Sequence, residues 1–404
     1  HEMGTRLYEK ASSTFSIQST VDTQLHIYRE ILRRHNRPAK ERDGVVICGA
    51  YGRGNAGDDA ILEALLQDMR SIDPDMPITV LTPPPPATRL TYRVRTVGRM
   101  DILAWKAAMR RARLYINGGG SLIQDVTSRR SLWFYLHNIR AAHKSGCKVQ
   151  MYGCGIGPVL REEHRRLASN VLNACVDVIT LREPDSLKEL QSMGVTKPEI
   201  LLTADPALTF HAAEADEIVR VLLRAGIQPH GKYLCVDLRN WKGFADKAPL
   251  FGQAAKYAYE TYGLTPVFTA VEKHLDPGAG RLAAAGLDIP HYFLDDAGNA
   301  STIIGALSRM RVVVSMRLHA LIFAAGQGVP LAGVVYDPKV SAFLRYIGQE
   351  NFRALDTLTL GDLTAMIDSM AAAPVSAEAQ AAAVEKLRQT EQVNVDTARR
   401  LLQS

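Results

Sequence analysis

The chain has 404 residues, more than a single hydrophobic core usually fills, and its 47% hydrophobic and 22% charged residues suit a soluble globular protein of two domains. The sequence contains no uncharged apolar run of about 18 residues, so no membrane span is predicted. The N-terminus lacks an apolar signal core, which favours a location in the cytoplasm. The net charge of +6 favours an anionic partner, while no zinc-finger or RNA-binding aromatic signature indicates nucleic acid. The five scattered cysteines lack metal-binding spacing, so they are expected to be reduced thiols and no metal is expected.

The first predicted element is a helix over residues 18–38, after which short apolar runs alternate with longer helical patterns. In the first half the runs are GVVICGA, PITVLT, LYINGGG, KVQMYGCGIGP, VDVITLRE and PEILLTADPA. Strands separated by helices predict a parallel, doubly wound sheet. The proline run at residues 82–88 breaks this pattern and predicts an exposed loop.

A second series of strands follows residue 211, with the runs KYLCVDLR, PVFTAV, HYFLDD, RVVVSMR and PLAGVVYD. The predicted fold class is therefore α/β, with two Rossmann-like domains facing a cleft. The boundary is expected between Asp205 and Lys232, which gives domains of residues 1–210 and 211–404, the second ending in C-terminal helices. Because ligands of open α/β sheets bind beyond the carboxyl ends of the strands, the residues directly after each strand are the site candidates.

A glycine-rich turn with two aspartates follows the first strand, in VVICGAYGRGNAGDDAILEALLQDM at residues 45–69. Glycines let backbone N–H groups approach a ligand, and the N-terminus of the next helix favours an anion. No Walker lysine follows, which excludes a P-loop, and two carboxylates would repel a pyrophosphate. Asn55 is the candidate for hydrogen-bonding a ligand, whereas Asp58 or Asp59 is expected to cap the helix.

A second glycine-rich turn, NGGGSLIQD, and a third, YGCGIGP, also end strands. Their N–H groups suit an anion or a sugar, and the alternative is tight packing of strand against helix. The substrate-binding candidates in the second turn are Asn117, Gly118, Gly119 and Ser121.

Charged residues end three more strands: Arg182 in TLREPDS, Asp205 in TADPA and Arg239 in VDLRNW. Burying a charge without a partner is costly. Each of these side chains is therefore expected either to face a ligand or to form a salt bridge between the domains.

The stretch VVVSMRLHALIFAAGQGVPLAGVVYDPKV places Arg317 and His319 between a strand and a helix, and Lys339 after the next strand. An arginine and a lysine together suit a phosphate or carboxylate group. A histidine at a helix start is either a general acid or base or a neutral cap, and its neighbour Arg317 favours the catalytic interpretation.

The order and spacing of these segments resemble the polysaccharide pyruvyl transferase family, of the CsaB type. The segments are GNAGDDAI, NGGGSLIQD, YGCGIGP, LREPDS, TADPA, DLRNW and SMRLHALIFAAGQGVP, which together span roughly residues 45–340. The resemblance implies a glycosyltransferase-B-like architecture. It also implies transfer of the enolpyruvyl carbons of phosphoenolpyruvate to a sugar, which forms a cyclic ketal and releases phosphate.

The resemblance implies roles for particular residues. His319 would act as an imidazolium that protonates the methylene carbon of phosphoenolpyruvate, the co-substrate, in a pocket made positive by Arg317 and Lys339. Asp58, Asp59 or Asp205 would deprotonate the sugar hydroxyls. The first domain would hold the acceptor and the second domain phosphoenolpyruvate, and the reaction would need no cofactor.

The CsaB type implies an acceptor, N-acetylmannosamine in a lipid-linked precursor of a secondary cell-wall polymer, whose ketal anchors S-layer proteins in bacteria. Such an acceptor would place the enzyme at the inner face of the cell membrane. Arginine clusters within residues 89–95, 110–113 and 161–166 would then meet anionic lipid.

Two alternatives stay open, and a third is disfavoured. A nucleotide-sugar-dependent glycosyltransferase of the same fold is the first, because fold does not determine function. A non-enzymatic module that binds anionic glycans or membranes is the second. A nicotinamide dehydrogenase is disfavoured, because the second strand ends in LTPPPP and lacks the acidic residue that binds the ribose.

Overall fold

The structure is a computed structural model that describes residues 16–35, 42–82, 85–371 and 375–404, together with residues 4, 5, 8 and 12. The chain divides into two compact units, His1–Asp43 and Gly44–Ser404. In the first unit, helix α1 spans Ile17–His35 and exposes most of its large apolar side chains. It agrees with the helix predicted over residues 18–38 as far as residue 35, and residues 36–38 lie outside the described part of the chain.

The described residues of the second unit form two parallel sheets with helices between their strands. The first sheet has the order β3-β2-β1-β4-β5-β6-β7 and comprises Val45–Cys48 (β1), Ile78–Thr82 (β2), Arg95–Gly98 (β3), Leu114–Ile123 (β4), Lys148–Ile156 (β5), Val178–Leu181 (β6) and Glu199–Leu202 (β7). The second has the order β10-β9-β8-β11-β12-β13 and comprises Tyr233–Asp237 (β8), Thr265–Thr269 (β9), Tyr292–Leu294 (β10), Val312–Ser315 (β11), Leu331–Val335 (β12) and Phe352–Ala354 (β13). These orders confirm the predicted α/β class with two Rossmann-like halves.

The helices bury one face against the sheets, and the central strands are buried and mostly apolar, as in β1 (VVIC) and β11 (VVVS). In chain order the helices are Ala56–Ile72 (α2), Pro85–Tyr92 (α3), Ile102–Arg111 (α4), Arg129–Lys144 (α5), Glu162–Cys175 (α6), Pro184–Ser192 (α7), Ala215–Arg224 (α8), Phe244–Tyr262 (α9), Asp276–Ala283 (α10), Ala300–Leu307 (α11), Leu318–Gly326 (α12), Pro338–Tyr346 (α13), Leu360–Ala371 (α14) and Val375–Gln403 (α15). None of the helices that the structure describes is long and apolar enough to cross a membrane.

The proline run predicted as an exposed loop is partly helical. Helix α3 begins at Pro85, where proline is tolerated because the first turn of a helix needs no N–H donor. Thr88 is buried, with its hydroxyl oxygen 3.2 Å from that of Thr82. The loop prediction is therefore wrong from residue 85 onward, and residues 83 and 84 lie outside the described residues.

The C-terminal helix α15 packs on the first sheet although it follows the second sheet in sequence. The Gln150 side chain in β5 donates a hydrogen bond to the Asn394 carbonyl at 3.1 Å. The hydroxyl of Thr203, just after β7, donates to the Asn394 side chain, also at 3.1 Å. The helix thus ties the two halves of Gly44–Ser404 together, and the domain boundary at residue 210 stays a prediction.

Candidate active site

A cavity of about 310 Å³ lies where the carboxyl ends of the two sheets face each other. Each sheet reverses its strand order beside its first strand, and ligands bind at such switch points in open α/β sheets. The residues that line the cavity follow β1, β5 and β6 or lie in or after β4 in the first half, and they follow β8, β9, β11 and β12 in the second. Eight residues singled out in the sequence are among them: Asn55, Asp58, Ser121, Arg182, Arg239, Arg317, His319 and Lys339.

Three predicted substrate-binding residues do not line this cavity. Asn117 is buried in β4, and its side-chain amide has no hydrogen-bond partner among the described residues. A Cβ atom added to Gly118 would lie 2.3 Å from the Tyr51 hydroxyl, and one added to Gly119 would lie 2.1 Å from the Ile61 side chain. The two glycines allow strand and helix to pack closely, which is the alternative that the sequence left open, and the next residues in β4 face the cavity instead.

The first glycine turn is stabilised by its own side chains. Helix α2 is capped by Asn55 and not by an aspartate, because the Asn55 side chain accepts a hydrogen bond from the Gly57 N–H at 3.0 Å. Asp59 accepts a hydrogen bond from the Gly52 N–H at 2.8 Å and thereby closes the turn. Of the two aspartates, it is Asp58 that lines the cavity.

Asp58 titrates near neutral pH. Burial, together with the negative charge of Asp59, raises the pKa of Asp58 to about 7, although Lys339 and Arg182 act in the opposite direction. A carboxyl group with a pKa close to the working pH exchanges protons efficiently with a reacting hydroxyl. Asp58 is therefore the cavity carboxyl best suited to acid–base chemistry.

His319 faces the first half of the protein from the start of α12. A Cβ atom on Gly57 would lie 2.0 Å from His319 Nδ1, so the imidazole packs directly against the N-terminus of α2. His319 Nε2 is 3.9 Å from Asp205 Oδ2 and has no hydrogen-bond partner among the described residues. Burial lowers the pKa of His319 to about 4, and the surrounding cations add to the effect despite Asp205. In the protein without its donor, this pKa favours the neutral form of His319 at pH 7.

Arg182 and Asp205 are paired with each other. Arg182 donates to Asp205 Oδ2 at 2.8 Å, to Glu183 Oε2 at 2.8 Å and to Ser121 Oγ at 3.0 Å. The other carboxylate oxygen of Asp205 accepts the Ala207 N–H. The salt bridge lies within the first half and not between the domains. Because Asp205 is occupied in this way, it is a poorer base for the sugar than Asp58.

Arg317 is neutralised by protein carboxylates. Its guanidinium is buried, donates through Nε to Asp276 Oδ1 at 3.1 Å and lies 2.8 Å from Glu272 Oε2. Arg317 therefore contributes one wall of the cavity but little net positive charge for an anionic ligand.

Of the cations that line the cavity from the second half, Arg239 has no carboxylate partner among the described residues, whereas Lys339 has Asp337. Arg239 donates to the Tyr336 hydroxyl at 3.0 Å and lies 5.0 Å from the Trp241 ring, and it forms no salt bridge with any described residue. Lys339 is 3.3 Å from Asp337 Oδ2 and is partly exposed. An unpaired arginine held by aromatic rings is well suited to bind phosphate or carboxylate.

Other lining residues were missed in the sequence. Tyr135 lies in the middle of α5, where no strand-end pattern marks it. Tyr336 directly follows β12, so the rule that sites lie beyond strand ends would have found it.

Two Rossmann-like halves with a polar cavity between their carboxyl edges define a glycosyltransferase-B-like fold. The polysaccharide pyruvyl transferase family matches residues 55–338, so the chain belongs to that family. A comparison with curated protein sequences gives no match.

Solved structures share the fold at low sequence identity. Anabaena Alr3699/HepE in complex with UDP and glucose is 10% identical, with a TM-score of 0.59 over 90% of this chain and 100% of that one. UDP-GlcNAc 2-epimerase from Neisseria meningitidis bound to UDP-GlcNAc is 11% identical, with a TM-score of 0.56 over 89% and 99%. The corresponding epimerase from Methanocaldococcus jannaschii is 10% identical, with a TM-score of 0.58 over 83% and 94%. These similarities establish the fold alone.

Proposed function

We propose that this polysaccharide pyruvyl transferase takes pyruvate from phosphoenolpyruvate and attaches it to a sugar as a cyclic ketal. The observation that carries the proposal is that Asp58 and His319 line one cavity from opposite halves, with Arg239 beside them. The volume of about 310 Å³ is at the low end of the range for small-molecule sites, which favours a compact donor over a nucleotide sugar.

Donor and acceptor take opposite sides of the cavity. Phosphoenolpyruvate carries a phosphate and a carboxylate, which match Arg239 and Lys339 in the second half. The first half contributes neutral polar side chains, Ser121, Gln124 and Thr127, which suit sugar hydroxyls. The acceptor is N-acetylmannosamine in a lipid-linked precursor of a cell-wall polymer, as the CsaB-type resemblance implies.

The reaction proceeds by two additions at C2 of the donor. His319 gives a proton to the methylene carbon, which becomes a methyl group, and the first sugar hydroxyl adds to C2 while Asp58 accepts its proton. The C2–O bond to phosphate then breaks, and a second hydroxyl of the same sugar adds to C2 and loses its proton. Of the two protons lost by the sugar hydroxyls, one returns to His319 to replace the proton that it gave, and the other leaves with the phosphate.

The donor itself supplies the conditions for protonating His319. The free protein holds this histidine neutral, because the imidazole is buried beside positive charges. A bound trianion cancels those charges and raises the pKa of the imidazole, and Asp205, 3.9 Å from Nε2, acts in the same direction. Protonation of the acid is thereby coupled to donor binding.

The test is phosphate release from phosphoenolpyruvate with and without an N-acetylmannosamine glycolipid. Wild type should release phosphate only with the acceptor. His319→Asn and Asp58→Asn should lose release, and His211→Asn, an exposed histidine of the second half, should keep it. Sugar transfer from a UDP-sugar without any turnover of phosphoenolpyruvate would instead establish the glycosyltransferase alternative.

A further inference from the structure

Positive charge is concentrated in one segment of the first half. Residues 85–144 contain twelve arginines and lysines and two aspartates, a formal charge of +10 in a chain whose net charge is +6. None of the twelve forms a salt bridge with another described residue. The charge is therefore available to an external partner.

Large apolar side chains are exposed in the same segment. Met100 is 90% exposed, Leu103 82% and Trp133 55%, and Ile102 and Val126 are about half exposed. Apolar side chains gathered on a surface mark a contact with a partner or with a membrane, whereas scattered ones need no explanation.

Part of this exposed apolar surface reaches the cavity, since Val126 lines it. Met100 and Leu103 follow β3 and Val126 follows β4, so they share the carboxyl edge of the first sheet. The rings of Trp105 in α4 and His137 in α5 stack at 5.6 Å, which places these two helices side by side. The exposed surface of α3, α4 and α5, with the loops that lead into them, is called the basic rim below.

Cavity and basic rim share helix α5. Ser131 and Tyr135 line the cavity, while Trp133 between them is exposed. On α4, Lys106 and Arg110 are exposed one turn apart, beside the face of the helix that buries Trp105 and Met109. Exposed apolar and cationic groups thus lie together on α4 and α5, and α5 also lines the cavity.

We propose that the basic rim docks the protein on an anionic membrane surface. Leu103 and Trp133 insert at the level of the headgroups, where tryptophan is favoured, while Lys106 and Arg110 pair with anionic headgroups. A soluble polyanion would engage the cations but leave the apolar side chains in water. The inference rests on the proposed function in one respect, since a lipid-linked acceptor would then reach the cavity from the membrane.

Vesicle co-sedimentation of the full chain tests the docking without turnover. Wild type should bind phosphatidylcholine vesicles that contain phosphatidylglycerol and should dissociate from them in high salt. It should not bind vesicles of pure phosphatidylcholine. Lys106→Gln with Arg110→Gln should weaken vesicle affinity about fivefold per charge removed. Leu103→Ser with Trp133→Ser should also weaken it, and the matched pair Leu223→Ser with Arg220→Gln, exposed in the second half, should not.

Other outcomes would overturn the inference. One is the absence of binding to anionic vesicles at low salt. Another is binding that is abolished by Leu25→Ser with Leu32→Ser in α1 but unaffected by the rim variants. A third is equal affinity for heparin and for vesicles, with no effect of the Leu103→Ser and Trp133→Ser substitutions, which would show that the basic rim binds a soluble polyanion.

Turnover separates this inference from the proposed function. The rim variants should keep wild-type phosphate release with a short-chain soluble acceptor and lose it with an acceptor embedded in vesicles. No release with either acceptor from wild type that binds vesicles would refute the proposed function and leave the docking surface in place. Equal release by rim variants and wild type on embedded acceptor would refute the docking.

Discussion

Gly57 is predicted to be essential because the His319 imidazole occupies the space that any larger side chain would fill. A Cβ atom there would lie 2.0 Å from Nδ1 and 2.1 Å from Cγ, whereas ordinary contacts begin at 3.4 Å. The His319 Cβ atom would lie only 2.6 Å from the added Cβ atom, so in Gly57→Ala the ring must move by about 1.4 Å and the α12 backbone that carries it must shift as well.

The expected loss is mainly one of activity. Displacing a reacting group by about 1 Å costs on the order of 100-fold in rate, so kcat/KM for phosphoenolpyruvate should fall by at least about that factor. Overpacking costs typically about 1–3 kcal/mol, and alanine is favoured over glycine within a helix by roughly 0.5–1 kcal/mol, so the Tm should fall by only a few degrees.

Steady-state phosphate release and thermal unfolding measure the two effects on the same samples. Gly361→Ala is the matched control, because Gly361 is also the second residue of its helix, and its added Cβ would meet its first neighbour at an ordinary 3.8 Å. The control should keep wild-type kcat/KM. Wild-type activity in Gly57→Ala would refute the packing of His319 against α2 as the device that positions it.

The remaining predictions concern the charges of the cavity. The pKa of Asp58 is raised to about 7, so ionising this carboxyl group lowers the stability of the folded protein as the pH rises from about 4 to 7. Asp58→Asn should therefore raise the free energy of unfolding, measured in urea, by a few kcal/mol at about pH 8 and leave it unchanged at about pH 4. The pKa of His319 is lowered to about 4, so the folded protein binds fewer protons than the unfolded protein between pH 4 and 6.5. Wild type should therefore lose stability as the pH falls from 6.5 to 4. His319→Gln should show none of this loss in the same titration. Arg239→Gln should raise the KM for phosphoenolpyruvate about 10- to 100-fold, the loss of a charged hydrogen bond, and an unchanged KM would remove Arg239 from donor binding. Arg317→Gln should instead lower the unfolding free energy by about 3–5 kcal/mol, because it leaves Asp276 buried and unpaired, and wild-type stability would contradict that role.

The fold and the edge that carries the site were predictable from local pattern. Apolar runs separated by helical stretches define parallel strands, and the carboxyl ends of parallel strands share an edge. His319 and Arg239 could therefore be assigned to one cleft although 80 residues separate them in the sequence. The proline run failed as a loop prediction because proline is compatible with the first turn of a helix.

The division of roles among the charged residues was not predictable. Arg317 is neutralised by Asp276, which is 41 residues away, and Asp205 is occupied by Arg182, 23 residues away. The neutral state of His319 depends on how deeply tertiary packing buries it. No local pattern encodes these pairings, so the sequence left Asp58, Asp59 and Asp205 as equal candidates.

The most direct test of the proposed chemistry is the reaction in deuterium oxide with phosphoenolpyruvate and an N-acetylmannosamine glycolipid, followed by mass spectrometry and NMR of the product. The proposal predicts a pyruvate ketal that bridges two hydroxyls of one sugar, with a single deuterium in its methyl group, and no product from His319→Asn. A methyl group without deuterium, or a glycolipid extended by a sugar from a UDP-sugar in place of a ketal, would contradict it.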